Sequence, residues 1–82
     1  MSHQLSDQEI NQAIEEGLNP PSYIVETDRM PTIVRVMTLL QSRGMVKKVS
    51  DGKWEQTTLL NAFNPKVRRD IMIQSYKENY NP

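Results

Sequence analysis

The stretch from Pro31 to Thr57 constrains the fold of this chain more than any other. An amphipathic helical pattern stops at Gly44, and a hairpin that turns at Asp51-Gly52 follows with almost no linker. Ile33, Val36, Met37 and Leu40 recur at helical spacing, with Leu39 flanking them, while Arg35, Thr38 and Ser42 fall on the opposite side. Arg43 suits the negative end of the helix dipole, and Gly44 can take the left-handed conformation that ends a helix. Three β-branched residues, Ile33, Val34 and Val36, lower the local helix propensity, so tertiary packing must support this segment. Asp-Gly is a strong signal for a two-residue type I′ hairpin turn joining strands at 45–50 and 53–57. That turn places Ser50 opposite Lys53, Val49 opposite Trp54, Lys48 opposite Glu55 and Lys47 opposite Gln56. The result is an apolar Val49–Trp54 pair on one face and an opposite-charge Lys48–Glu55 pair on the other.

The flanking segments carry their own punctuation. Ser6 with Glu9 three residues on forms a capping box, and Leu5 with Ile10 occupies the staple positions around it. A helix at about 7–16 follows, burying Ile10, Ala13 and Ile14, with Gly17 as its left-handed stop and Leu18 just beyond. Asn19-Pro20-Pro21 breaks the chain. Residues 22–27 read either as a short strand through Tyr23, Ile24 and Val25 or as a short helix running to Arg29, and the helix is preferred. Met30 precedes a proline and is pushed towards an extended conformation, so the next helix is expected to begin at Pro31. Leu59, Leu60, Ala62 and Phe63 form an apolar block that either ends the hairpin or starts another helix. Asn64-Pro65 gives a cap followed by proline at the first helical position. The helix it opens, about 65–79, is expected to bury Val67 and Ile71, with Met72, Ile73 and Tyr76 as further candidates.

With 82 residues the chain is expected to form one domain, spanning 1–82 with short disordered termini and a single modest core. It has no cysteine, hence no disulfide framework and no thiolate metal site. No apolar run approaches the length of about 20 residues that a membrane helix needs. The polar start, Met1-Ser2-His3-Gln4, has the wrong profile for a signal peptide, and a soluble, cytoplasmic protein is the expectation. The net charge is zero, but it is unevenly spread. Residues 1–28 hold six acids and no Lys or Arg, while the remainder holds ten bases against four acids, a balance of +6. Either the fold presents two faces of opposite sign, one able to meet phosphate, or the two halves neutralise each other across the core.

The segment from Thr32 to Val46 resembles the recognition helix and first wing strand of winged helix-turn-helix regulators of the MarR-like and GntR-like kinds. The resemblance is carried by Thr32-Ile33 opening the helix, Met37 and Leu40 on its buried side, Gly44 at its end, and Met45-Val46 leading into the sheet. It covers about a third of the chain. Residues 20–30 depart from the family, lacking the Ala-rich helix and short Gly-containing turn that usually come before. Nor does the chain have room for the usual ligand or dimerisation domain. The resemblance implies a small α+β, mainly α fold: a minimal winged helix with three to four helices and a two-stranded β-hairpin wing.

The inventory of chemical groups points away from an enzyme. His3 is the only histidine, with no partner for a metal or catalytic site. Glu15 and Glu16 are adjacent, so on a helix they diverge instead of converging as a carboxylate pair. No Ser-His-Asp constellation and no phosphate-cradling glycine loop is present. No catalytic residue, metal or cofactor is therefore expected. The expected function is DNA binding in transcription regulation, as a regulator or accessory factor. Thr32, Arg35 and Thr38 would read base edges, and Lys47, Lys48 and Lys53 would contact phosphate from the wing. The bland alternatives are a solvated polar helix face and lysines that protect a strand edge. Arg68 and Arg69 would add a phosphate contact or simply keep the last helix soluble. Trp54 is expected to cap the core and not to stack on a base. A homodimer through Ile71, Ile73, Tyr76 and Tyr80 of the last helix would match paired half-sites. Two rivals remain. One is a protein-interaction module, such as a phage or plasmid protein that binds polymerase or a host regulator. The other is a small structural subunit.

Overall fold

A computed structural model describes residues 5–21 and 28–79. Within them lie three helices and one two-stranded antiparallel sheet, a small and mainly α member of the α+β class: α1 (Asp7–Leu18), α2 (Arg29–Ser42), β1 (Val46–Ser50), β2 (Lys53–Gln56) and α3 (Pro65–Asn79), with a 3-10 turn at Thr58–Leu60.

The start of α1 is fixed by local chemistry. The Glu9 backbone N–H donates to Ser6 Oγ at 3.2 Å, and the Ser6 N–H donates to Glu9 Oε1 at 2.8 Å. Leu5 and Ile10 are both buried, closing the staple. The helix does not stop at Gly17 but continues to Leu18, where the Asn19 N–H reaches the Glu15 carbonyl at 2.8 Å. Gly17 has no positive φ and is buried against Met37. It serves the close approach of two helices, which the local spacing alone could not distinguish from a stop.

α2 begins at Arg29, two residues earlier than Pro31, and Met30 is helical. Pro31 is then the third helical residue, where its missing N–H costs nothing because the first four N–H groups of a helix have no intrahelical partner. The short helix or strand expected at 22–27 lies outside the described residues. Ile33, Val36, Met37 and Leu40 are all buried, as their spacing predicts. The helix ends in a Schellman arrangement: the Met45 N–H donates to the Leu40 carbonyl and the Gly44 N–H to the Gln41 carbonyl, both at 3.0 Å. Gly44 takes φ +78°, so this glycine is the left-handed stop.

The hairpin turns where expected, but its register differs. Only Gly52 has a positive φ, whereas a type I′ turn needs one at Asp51 as well. Ser50 pairs with Lys53, but Lys48 pairs with Trp54, Lys47 with Glu55 and Val46 with Gln56, leaving Val49 as a bulge. The regular register would have put Val46 and Trp54 on opposite faces of the sheet. A one-residue insertion reverses the parity of everything beyond it. The bulge therefore lets Val46 and Trp54 share one face, and each is 2% exposed, while Val49 is 42% exposed. The expected Val49–Trp54 pair does not form, and the lysine opposite Glu55 is Lys47 and not Lys48. Thr57 closes the base of the hairpin, its Oγ1 donating to the Gly44 carbonyl at 2.6 Å and its N–H to the Met45 carbonyl at 3.1 Å.

The apolar block after β2 neither extends the hairpin nor forms an α-helix. It makes the 3-10 turn, with Leu60 buried and Leu59 and Phe63 exposed. α3 starts as its signal predicts, the Val67 N–H donating to Asn64 Oδ1 at 2.9 Å. The face it buries is Met72, Ile73 and Tyr76; Val67 is exposed and Ile71 only partly covered. Two apolar stripes were available on this helix, and the core took the one nearer its C-terminus. Ile73 and Tyr76 are thus buried within their own chain and are not available as the expected dimer contacts, while Tyr80 lies outside the described residues.

Candidate functional site

Three of the six acids of residues 1–28 pair with bases from the rest of the chain. Glu15 and Glu16 diverge as adjacent helical residues must, each reaching a different helix. Glu16 Oε1 accepts from Arg29 Nε and Nη2 of α2 at 3.0 and 2.9 Å. Glu15 Oε1 accepts from Arg69 Nη2 of α3 at 2.9 Å, while Arg69 Nη1 donates to Asn11. Lys77 of α3 pairs with Asp7 at 2.8 Å. Three acids of α1 are therefore occupied by bases of α2 and α3, and Arg69 is committed to this cross-link.

The Arg69 hydrogen bond, then one from Asn19, hold the Glu15 carboxyl below its ordinary pKa of 4.5 against the opposing effect of burial. A depressed folded-state pKa contributes stability that is present above about pH 4.5 and fades as pH falls through the folded value. Glu15→Gln should therefore lower the melting temperature at pH 7. The gap to the wild type should close in buffers well below pH 4.5, and a gap that persists undiminished in acid would contradict the assignment.

Five further bases lie on α2, its C-terminal turn and the hairpin. Between residues 31 and 57 lie Arg35, Arg43, Lys47, Lys48 and Lys53 against Asp51 and Glu55, a local balance of +3. Arg43 caps the end of α2 and its guanidinium donates to Asn79 of α3. Lys47 and Lys48 are exposed on β1 and Lys53 is half-buried at the hairpin tip. Lys48 has a loose ion pair with Asp51, at 3.6 Å.

The side chains of α2 can be placed around its axis by the turn of about 100° per residue. The hairpin side is marked by Gln41, whose Oε1 accepts from Trp54 Nε1 at 3.2 Å. Thr38 is turned about 60° from Gln41, and Arg35 about 60° further in the same sense. An exposed strip thus runs from Gln41 at the hairpin edge, past Thr38, to Arg35 at the far edge. Thr32 lies beyond Arg35 and is half-buried, so it stands apart from Thr38. All three lysines lie on the hairpin, with the consecutive Lys47 and Lys48 on opposite faces of it; Arg35 and Thr38 share one strip of α2, with Arg35 on the flank away from the hairpin. Val34, 42% exposed, and Gln41 share this strip and were not picked out from sequence. The helical spacing could have found both, since neither falls with Ile33, Val36, Met37 and Leu40.

No protein-family model matches the chain, and neither a curated protein nor a solved structure is significantly similar to it. Among the described residues no helix is long and apolar enough to cross a membrane. Any functional assignment therefore rests on the residues of the site.

Proposed function

We propose that this chain is a small duplex-DNA-binding protein of the winged-helix kind. α2 lies in the major groove and the β1–β2 hairpin follows the neighbouring backbone. The observation that carries this reading is the junction at Gly44. Its Schellman turn fixes the lysine-bearing hairpin directly against the helix, while α1 packs on the buried face of α2 at Met37. Arg35, Lys47 and Lys48 are exposed on this helix and hairpin. Thr38 sits at the centre of the reading strip, with Arg35 reaching a guanine edge on one flank and Val34 offering apolar contact to a thymine methyl. Thr32 contributes from the margin. Lys47, Lys48 and Lys53 contact phosphate and set orientation.

Three cations on phosphate imply a log–log salt slope of about −2.7, or a loss of roughly fortyfold in affinity between about 50 and 200 mM salt. The test is anisotropy of labelled random-sequence duplex across that range, repeated with Arg35→Glu/Lys47→Glu. Salt-sensitive binding that the double reversal abolishes supports the reading. No binding at low salt, or binding indifferent to the reversal, refutes it. A protein-docking role is the second reading, and the exposed Leu59 and Phe63 favour it. A pull-down that depends on those two residues, from a chain that ignores DNA, would establish it.

A further inference from the structure

The outward face of α3 carries a ridge of side chains four residues apart: Lys66, Asp70, Gln74 and Glu78, all exposed. Residues at this spacing form one continuous row on a helix surface. Beside the row, Val67 and Ile71 together with Met45 of the neighbouring chain segment line an open, mainly apolar groove of about 350 Å³. Adjoining exposed apolar side chains beside a charged row mark a contact surface.

The order of charges on the row identifies the occupant. Read forward it is base, acid, amide, acid; read backward it is acid, amide, acid, base. Laid antiparallel on itself about a point level with residue 72, Lys66 meets Glu78 and Asp70 meets the Gln74 amide, each contact occurring twice. Ile71 then lies beside its own copy at the axis. A parallel alignment would set Lys66 on Lys66 and Glu78 on Glu78. We propose that this face of α3 binds a second copy of the chain, antiparallel and two-fold symmetric, with the apolar row of one copy seated in the groove of the other. Such self-complementarity is what a two-fold interface requires. It differs from the contact expected from sequence, because Ile73 and Tyr76 are buried in the core and take no part. It is independent of the DNA reading, since the copies meet with or without nucleic acid.

The experiment is sedimentation equilibrium of the full chain without DNA, from about 1 µM to about 1 mM, a range that covers weak to moderate dimers. The wild type is expected to dimerise. Glu78→Lys sets like charges opposite Lys66 at two symmetric places and should weaken the dimer about tenfold, with Lys66→Glu doing the same. The double exchange, Lys66→Glu with Glu78→Lys, should restore it to within a few-fold. Both positions are exposed, so the variants should stay folded, which far-UV circular dichroism checks. Val67→Asp should weaken the dimer with no charge-exchange rescue. A chain that stays monomeric throughout overturns the proposal and leaves the face to an unlike partner. A dimer indifferent to the single reversals, or oligomers larger than two, also overturns it.

Discussion

Trp54→Ala is expected to destabilise the domain by about 3–5 kcal/mol, the range for removing a large aromatic side chain from a packed core. Trp54 is 2% exposed and belongs to the same buried cluster as Ile10 and Ile14 of α1 and Leu40 of α2. With Val46, its ring carries the hairpin into that core, and its Nε1 donates to Gln41 Oε1. At about 0.05–0.15 kcal/mol per residue, a domain of this size has roughly 4–12 kcal/mol in total. The variant should therefore lose at least about a quarter of its stability, which urea titration followed by far-UV circular dichroism would show as a clearly lowered midpoint. Trp54→Phe should lose less, because most of the ring volume remains and only the hydrogen bond to Gln41 is lost, at about 1 kcal/mol. A wild-type midpoint for Trp54→Ala would mean the ring does not fill the core.

Gly17→Val should destabilise by about 2–3 kcal/mol through overpacking. A Cβ on Gly17 would lie 2.8 Å from Met37 Cγ and 3.1 Å from Met37 Cε. Met37 is fully buried, so its side chain has little room to move aside. Met37→Ala alone should cost about 2–5 kcal/mol by leaving a cavity. Combined, the two should cost less than their sum, because the valine fills part of the space that the methionine vacates. Strict additivity in thermal unfolding of the four proteins would show that α1 and α2 do not meet at this point. The pair also separates the two readings of Gly17. A left-handed stop would be strained by any side chain whatever stood at Met37.

Where both partners of a signal lie within a few residues, the sequence was readable. The Ser6–Glu9 capping box, the Asn64 cap and the Gly44 stop form as their spacing predicts, because each is closed by hydrogen bonds that reach at most five residues. The buried side of α2 was also readable, since its four apolar residues leave one choice of face. Gly17 and Gly44 show where this ends. Each follows an amphipathic helical pattern, yet one is a stop and the other a contact. What separates them is Met37, a residue of the next helix. The hairpin shows the same limit. Asp51-Gly52 locates the turn, but the bulge at Val49 arises because Val46 and Trp54 must enter one core, a demand invisible to cross-strand pairing rules.

For the candidate site the residue types were legible and their arrangement was not. Arg35 and Thr38 are exposed as their helical spacing requires, and the hairpin lysines lie on the hairpin by connectivity alone. That Arg35 sits on the flank away from the hairpin depends on which side of α2 the hairpin packs, and Gln41 and Trp54 decide that. That Arg69 is bound to Glu15 and Asn11 depends on how α3 crosses α1. The sequence by itself determined the order of the helices and hairpin, the N-terminal caps of α1 and α3, the Gly44 stop and the face of α2, because those follow from short-range hydrogen bonding and an unambiguous apolar stripe. Only the tertiary structure decided the strand register, the role of Gly17, the stripe that α3 buries and the partners of the charges. Each of these is a choice between locally equivalent options, settled by which one fills a shared core.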